Sequence, residues 1–298
     1  MKTIRRLAKR IPMVSTGYRA ISGSVARMRY EVNDIYASYL SRSTQPAMTP
    51  YGFKLVGSQS IHHLAMQRGE FEAEETAIFK AEFERADVFV DVGANIGFFS
   101  CLARAAGKAV IAVEPLPRNL EHLFSNVLAN DWSDIEVFPV GLSSSPGLAT
   151  LYGASSTGAS LIGQWAGASR YFQRKIALST MDILLGDRFE GKRIFIKIDV
   201  EGVEHAVLCG AGRTMSLDPK PTWVIEICLN EYHPEGLNPH FRQTFELFWE
   251  RGYEVRTADR HDRLVQPGDV DDWIRNKRCD SGTINYRFVP LDRGPVAA

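Results

Sequence analysis

Apolar residues along this chain fall into short runs separated by helix-like spacings. Val88–Asp91, Val110–Glu114, Ile135–Val140, Ile194–Ile198 and Trp223–Ile227 are four to six residues long and almost continuously apolar. Such runs read as strands buried on both faces. Between them the apolar positions recur every three or four residues. Ile78, Phe79 and Phe83 do so within Glu72–Glu84, as do Phe98, Phe99 and Leu102 after Gly97. Leu120, Leu123, Phe124, Val127 and Leu128 follow Pro117, which suits a first helical turn, and Phe241, Phe245, Phe248 and Trp249 form a further stripe. A helix from Val203 to about Leu208 is also expected.

Tyr51–Val56 reads as a short leading strand, and Tyr253–Thr257 and Ile284–Val289 as the closing ones. The alternation predicts a doubly wound, mostly parallel seven-stranded α/β sheet. No long crossover separates the last two strands, so an antiparallel edge hairpin is expected, with 259–282 irregular. The rhythm breaks after the turn at Ser143–Gly147. Leu148–Tyr152 and Lys175–Leu178 read as edge strands around a Gly/Ser-rich stretch, Gly153–Ser169, expected to form a mobile flap over the substrate.

Charge adds a second region. Before Glu31 there is no acid, whereas Lys2, Arg5, Arg6, Lys9 and Arg10 oppose a face of Ile4, Leu7, Ala8 and Ile11. That pattern suits an anionic membrane surface or an organelle presequence. Val14, Tyr18, Ile21, Val25, Met28, Val32, Ile35 and Tyr39 then make a heptad-like stripe, expected to pack on the main domain or to form a dimer seam. Residues 1–50 therefore read as a basic, helical N-terminal extension and linker, and 51–298 as the main domain. With 298 residues, 45% hydrophobic and 23% charged, the chain is long enough for a sizeable core. A net charge of zero disfavours nucleic acid as a partner. Cys101, Cys209 and Cys228 read as buried free thiols, with Cys279 apart from them, and no C-x-x-C pair occurs. A cytoplasmic location is expected, peripheral at the inner face of a membrane if the arm binds there.

The chemistry concentrates at strand ends. Asp91-Val92-Gly93-Ala94-Asn95-Ile96-Gly97 is a strand end, a Gly-rich turn and a helix start, where free backbone N–H groups can meet a nucleotide-like ligand. Glu114, 23 residues after Asp91, is placed to accept hydrogen bonds from a ribose. Asn95 stands where a dinucleotide turn wants glycine, and no Lys follows Gly97 as a phosphate loop requires. An acid before the first glycine suits a cationic, amino-bearing cofactor, and S-adenosylmethionine has a sulfonium, an ammonium and no phosphate. Asp199 and Glu226 also fall at or near strand ends, the edge where open α/β sheets bind ligands.

Taken with Val113-Glu114-Pro115, Ser179-Thr180-Met181-Asp182 and Ile196-Lys197-Ile198-Asp199-Val200-Glu201-Gly202-Val203-Glu204, that turn resembles the FkbM-type methyltransferase family over roughly residues 70–260. The resemblance implies a class I, Rossmann-like, S-adenosylmethionine-dependent methyltransferase, usually acting on a hydroxyl of a sugar, polyketide or similar metabolite. It assigns Asp91, Gly93, Ala94, Asn95 and Gly97 to the methionine part of the cofactor, and Glu114 with Pro115 to its ribose side. The adenine is expected near Val140–Leu142, including Gly141 and Leu142. Asn119 and Asn126 lie on the following helix, Asn126 read as surface or capping.

Asp199 is the leading catalytic candidate, as base or metal ligand, with helix capping as its alternative. Glu201 holds substrate or cofactor amine, or favours a helix N-terminus. Lys197, in a buried strand, is expected to pair with a carboxylate facing the site. Glu226 and His233 complete the candidates, and with Asp199 they form a conceivable Mg²⁺ site that their spacing does not demand. His62 and His63 read as surface. The competing readings are an NAD-dependent oxidoreductase on a similar fold and a catalytically inactive, membrane-associated binding protein.

Overall fold

A computed structural model describes residues 45–57, 61–153, 158–167 and 173–291. Two short strands, β1 (Ala47–Met48) and β2 (Lys54–Leu55), pair antiparallel at its start. Helices α1 (Ile61–Arg68) and α2 (Ala73–Phe83) lead into the α/β series. That series is β3 (Val88–Val92), α3 (Phe98–Ala105), β4 (Ala109–Val113), α4 (Pro117–Ala129) and β5 (Ile135–Phe138). Next come β6 (Gly141–Leu142), β7 (Gly147–Tyr152), β8 (Gln173–Ser179), α5 (Met181–Leu185), β9 (Ile194–Ile198) and α6 (Glu204–Cys209). The last elements are β10 (Thr222–Glu226), α7 (Phe241–Trp249), β11 (Tyr253–Thr257), α8 (Pro267–Asn276) and β12 (Asn285–Pro290).

The main sheet has seven strands in the order β11-β12-β10-β9-β3-β4-β5, parallel except for β12. Alternation along each strand decides which face a side chain joins. Val88, Val90, Val92, Ile194, Ile196 and Ile198 go to the larger core cluster, shared with α7 and α8. Phe89 and Phe195 point the other way, into an aromatic cluster with Phe79, Phe83 and Phe99 from α2 and α3. Asp91 continues the Phe89 face and Lys197 the Phe195 face, and the two are register partners at its carboxyl end. A separate sheet, β6-β8-β7, carries the two strands expected as an edge pair.

The last two strands do pair antiparallel at the sheet edge, as expected, with β11 outermost and β12 inserted between β11 and β10 and antiparallel to both. Several other expectations are corrected. The stretch 259–282 holds helix α8, started by a capping box between Gln266 and Asp269, with Pro267 at its first position. His63 is buried and meets His122 edge-on at 5.7 Å. Cys209 is exposed, while Cys101 and Cys228 are buried. The basic arm and heptad stripe of residues 1–40 lie outside the described residues. Among the described residues, no helix is long and apolar enough to cross a membrane.

Candidate functional site

A cleft opens at the carboxyl ends of β3, β4 and β9, the edge where open α/β sheets bind ligands. Gly93, Asn95, Glu114, Pro115 and Asn119 form part of its lining, and Val140, Gly141 and Leu142 another. Asp199, Val200 and Glu201 come from the loop after β9, and Gly158, Ala159 and Leu161 from the segment between β7 and β8. Three carboxylates thus face this space, and no Lys or Arg lines it among the described residues.

The Gly-rich turn is folded by its own neighbours. Gly93 and Ala94 both donate their N–H to Val113 O, at 2.9 and 3.0 Å. Asn95 N–H donates to Glu114 Oε2 at 2.9 Å, and Gly97 N–H to Ala94 O at 2.8 Å. Four amides expected to be free for a ligand are therefore used within the protein, three of them by the end of β4 and the fourth within the turn itself. Gly93 has φ +82°, and a side chain there would overlap the backbone carbonyl of Asp199. Both φ and contact explain the glycine. Asn95 takes φ 52°, the left-handed region that Asn tolerates.

Glu114 also accepts from Leu116 N–H at 2.8 Å, and burial raises its pKa to about 7 against those bonds. Asp91 lies beneath the turn, 1% exposed, accepting from Ser100 Oγ at 2.6 Å through Oδ2. Its Oδ1 is buried without a partner, and burial pushes the carboxyl above its ordinary range.

Lys197 Nζ lies 2.9 Å from Asp199 Oδ2. Burial opposes its charge, but Asp199, Asp91 and Glu75 together hold the ammonium above its usual range. Glu75 reaches this group from the first turn of α2, where it hydrogen bonds with Glu72. Glu72 sits at φ 40°, a strained value for a residue with a side chain. Burial, then the Glu72 carboxylate, raises Glu75 well above the ordinary carboxyl range, and Asn285 donates to its Oε2 at 3.2 Å. Glu226 is raised to about 10 by burial and by Asp199, Glu201 and Glu204 nearby. It is therefore a neutral donor near pH 7.

A family model described as the methyltransferase FkbM domain matches residues 91–255. The chain belongs to that family. No curated relative matches the sequence. Among solved structures, methyltransferase FkbM from Methylobacillus flagellatus KT is 20% identical, with a TM-score of 0.42, covering 68% of this chain. The chain spans only 44% of that structure's length. An O-methyltransferase from Bacillus cereus, solved in complex with SAH, is 12% identical with a TM-score of 0.41, covering 73% of this chain and 80% of that one. Precorrin-6y C5,15-methyltransferase from Geobacter metallireducens GS-15 is 12% identical with a TM-score of 0.36, covering 72% and 86%.

Within this FkbM domain the expected site residues divide. Gly93, Asn95, Glu114, Pro115, Gly141, Leu142, Asp199 and Glu201 meet in one cleft. Asp91, Ala94 and Gly97 shape the turn from beneath, Gly97 against Leu123, and do not line it. Lys197 and Glu226 lie behind Asp199. His233 lies beyond Trp165, ring centroids 5.9 Å apart. Among the described residues, no group of three or more His, Cys, Asp or Glu is placed to hold a metal ion. Asn126 is fully buried rather than surface or cap, accepting from Val56 N–H and donating to Ile96 O. Sequence reasoning missed Glu75, Ser100 and Trp165. The first two sit in helices α2 and α3 at positions that no motif marks, and only the fold brings them to the site.

Proposed function

We propose that this FkbM-family chain is an S-adenosylmethionine-dependent O-methyltransferase acting on a hydroxyl of a small molecule such as a sugar or polyketide. The observation that carries the reading is the charge of the cleft. Glu114, Asp199 and Glu201 face it, no Lys or Arg lines it among the described residues, and the amides of the Gly-rich turn are taken up internally. A pyrophosphate needs donors at that turn, so a dinucleotide fits poorly. A ligand bearing a sulfonium and an ammonium fits a cleft faced by these carboxylates.

When bound, the cofactor supplies an electrophilic methyl group. The protein's work is then mainly alignment. Glu114, between the Asn95 and Leu116 amides, is set to accept from a ribose, and Val140–Leu142 offer an apolar slot beyond it. Asp199 takes the acceptor's proton at its carboxylate. Lys197 fixes that carboxylate in place through its hydrogen bond to Oδ2. Glu226, protonated, offers a donor behind it.

Calorimetric titration with S-adenosylmethionine and with NAD⁺ tests this reading. Micromolar binding of the former alone is expected, and preferential binding of NAD⁺ would replace it with the oxidoreductase reading.

A further inference from the structure

Glu201 was expected near substrate, but both of its carboxylate oxygens are engaged by one stretch of chain. Gly158 N–H donates to Oε1 at 2.8 Å and the Trp165 indole N–H to Oε2 at 2.7 Å. Ser160 Oγ donates to the backbone carbonyl of the same residue at 2.5 Å. Three donors from residues 158–165 thus converge on a single residue of the loop after β9. Glu201 holds φ 59° to receive them, a conformation that persists only where the surroundings enforce it.

Shape agrees with these bonds. Gly202 has φ +97°, and any side chain there would overlap the Trp165 ring. Trp165 is 1% exposed and meets His233 edge-on, while Ala166 N–H donates to Tyr232 O at 2.9 Å. The indole therefore joins the β7–β8 segment to the loops after β9 and β10. Gly158, Ala159 and Leu161 of that segment are cleft lining.

We propose that Glu201 is a positioning residue that, through Gly158 and Trp165, holds residues 158–165 as a wall of the cofactor cleft, and that it is not the base for the acceptor hydroxyl. This rests on the cofactor assignment above. Only a carboxylate can serve both donors, since an amide turns an NH₂ toward one of them. Burial, then the neighbouring Asp199 carboxylate, opposes a charge here, and the Trp165 and Gly158 N–H donors with Lys197 offset them.

The test is titration of wild type, E201Q, W165F and the double variant with S-adenosylhomocysteine. In parallel, ¹H–¹⁵N spectra follow the Trp165 indole resonance, assigned by its absence from W165F. Each single variant should bind roughly tenfold more weakly, the scale of one charge-assisted bond, and the double variant no more weakly than the weaker single. In E201Q the indole resonance should move. A base acting only on the acceptor predicts the opposite: E201Q binding like wild type with the indole resonance unmoved. That result, or losses that simply add, overturns the proposal. W165F alone carries the comparison should E201Q not fold. Failure of wild type to bind would strike the cofactor reading itself, and an unmoved indole resonance in unliganded E201Q would strike the contact separately.

Discussion

Lys197, in β9, and Asp199, two residues on in the K-I-D segment, are joined at 2.9 Å, the cation 6% exposed and the anion 35%. The pair connects a buried cluster to the cleft. Replacing Lys197 with Met strands Asp91 and Glu75, which face the same ammonium. A loss of about 3–5 kcal/mol in urea unfolding is expected. Asp199→Asn keeps a hydrogen-bond partner for Lys197. It should cost far less stability, retain cofactor binding and abolish turnover. Equal loss of binding in D199N would remove Asp199 from the role of base.

Gly93→Ala should disrupt the site through one atom. The added methyl would overlap the Asp199 carbonyl while φ stays near +82°. Gly107 has a similar φ of +78° with open space around it, so Gly107→Ala isolates the cost of φ, roughly 1 kcal/mol. Unfolding of both variants should show a clearly larger loss for Gly93→Ala. Equal losses would mean the two loops separate freely.

Glu114 gives a pH signature. Burial raises its folded-state pKa from 4.5 to about 7, so the folded protein holds this proton more tightly than the unfolded chain. That contribution, about 3 kcal/mol, is present in full below the unfolded value and is lost as pH rises through about 7. Glu204, also raised to about 7 by burial, adds a slope of the same sign. Thermal unfolding of Glu114→Gln between pH 4.5 and 7.5 should show a flatter decline than wild type. An unchanged slope would count against Glu114 as its source.

Asn126→Ala removes the side chain that bonds both Val56 N–H and Ile96 O. Two buried backbone groups lose a partner, and a loss of about 2–4 kcal/mol in denaturant midpoint experiments is expected. A change within experimental error would show that the two segments close on each other without it.

Most of the parallel sheet was legible because its strands are unbroken apolar runs and its helices carry regular stripes. Two features escaped for physical reasons. Helix α8 is short, with only Val270 and Trp273 buried, too few to stand out from a loop rich in Asp and Arg. The insertion of β12 is decided by pairing partners, not by any local pattern. The cleft's residues were legible where motifs mark strand ends, as at Gly93, Glu114 and Asp199. The same local view misjudged the turn's amides as free, since it cannot see Val113 and Glu114 closing over them. It placed Asn126 at the surface because a polar residue in an amphipathic helix usually faces water, whereas here two backbone segments demand its amide.

The position of β12 between β10 and β11 bears on how the sheet is assembled during synthesis. While a ribosome is still short of residue 285, β10 and β11 have no strand to join them, and Asn285 cannot reach Glu75. At a synthesis rate of roughly 5–20 residues per second, that open interval lasts seconds. During it the nascent chain carries an unfilled slot flanked by Trp223, Ile225 and Val255, a place for chaperones to occupy and for a neighbouring chain's strand to enter by mistake. The seven-stranded sheet therefore closes late and all at once, when residues 285–290 leave the exit tunnel.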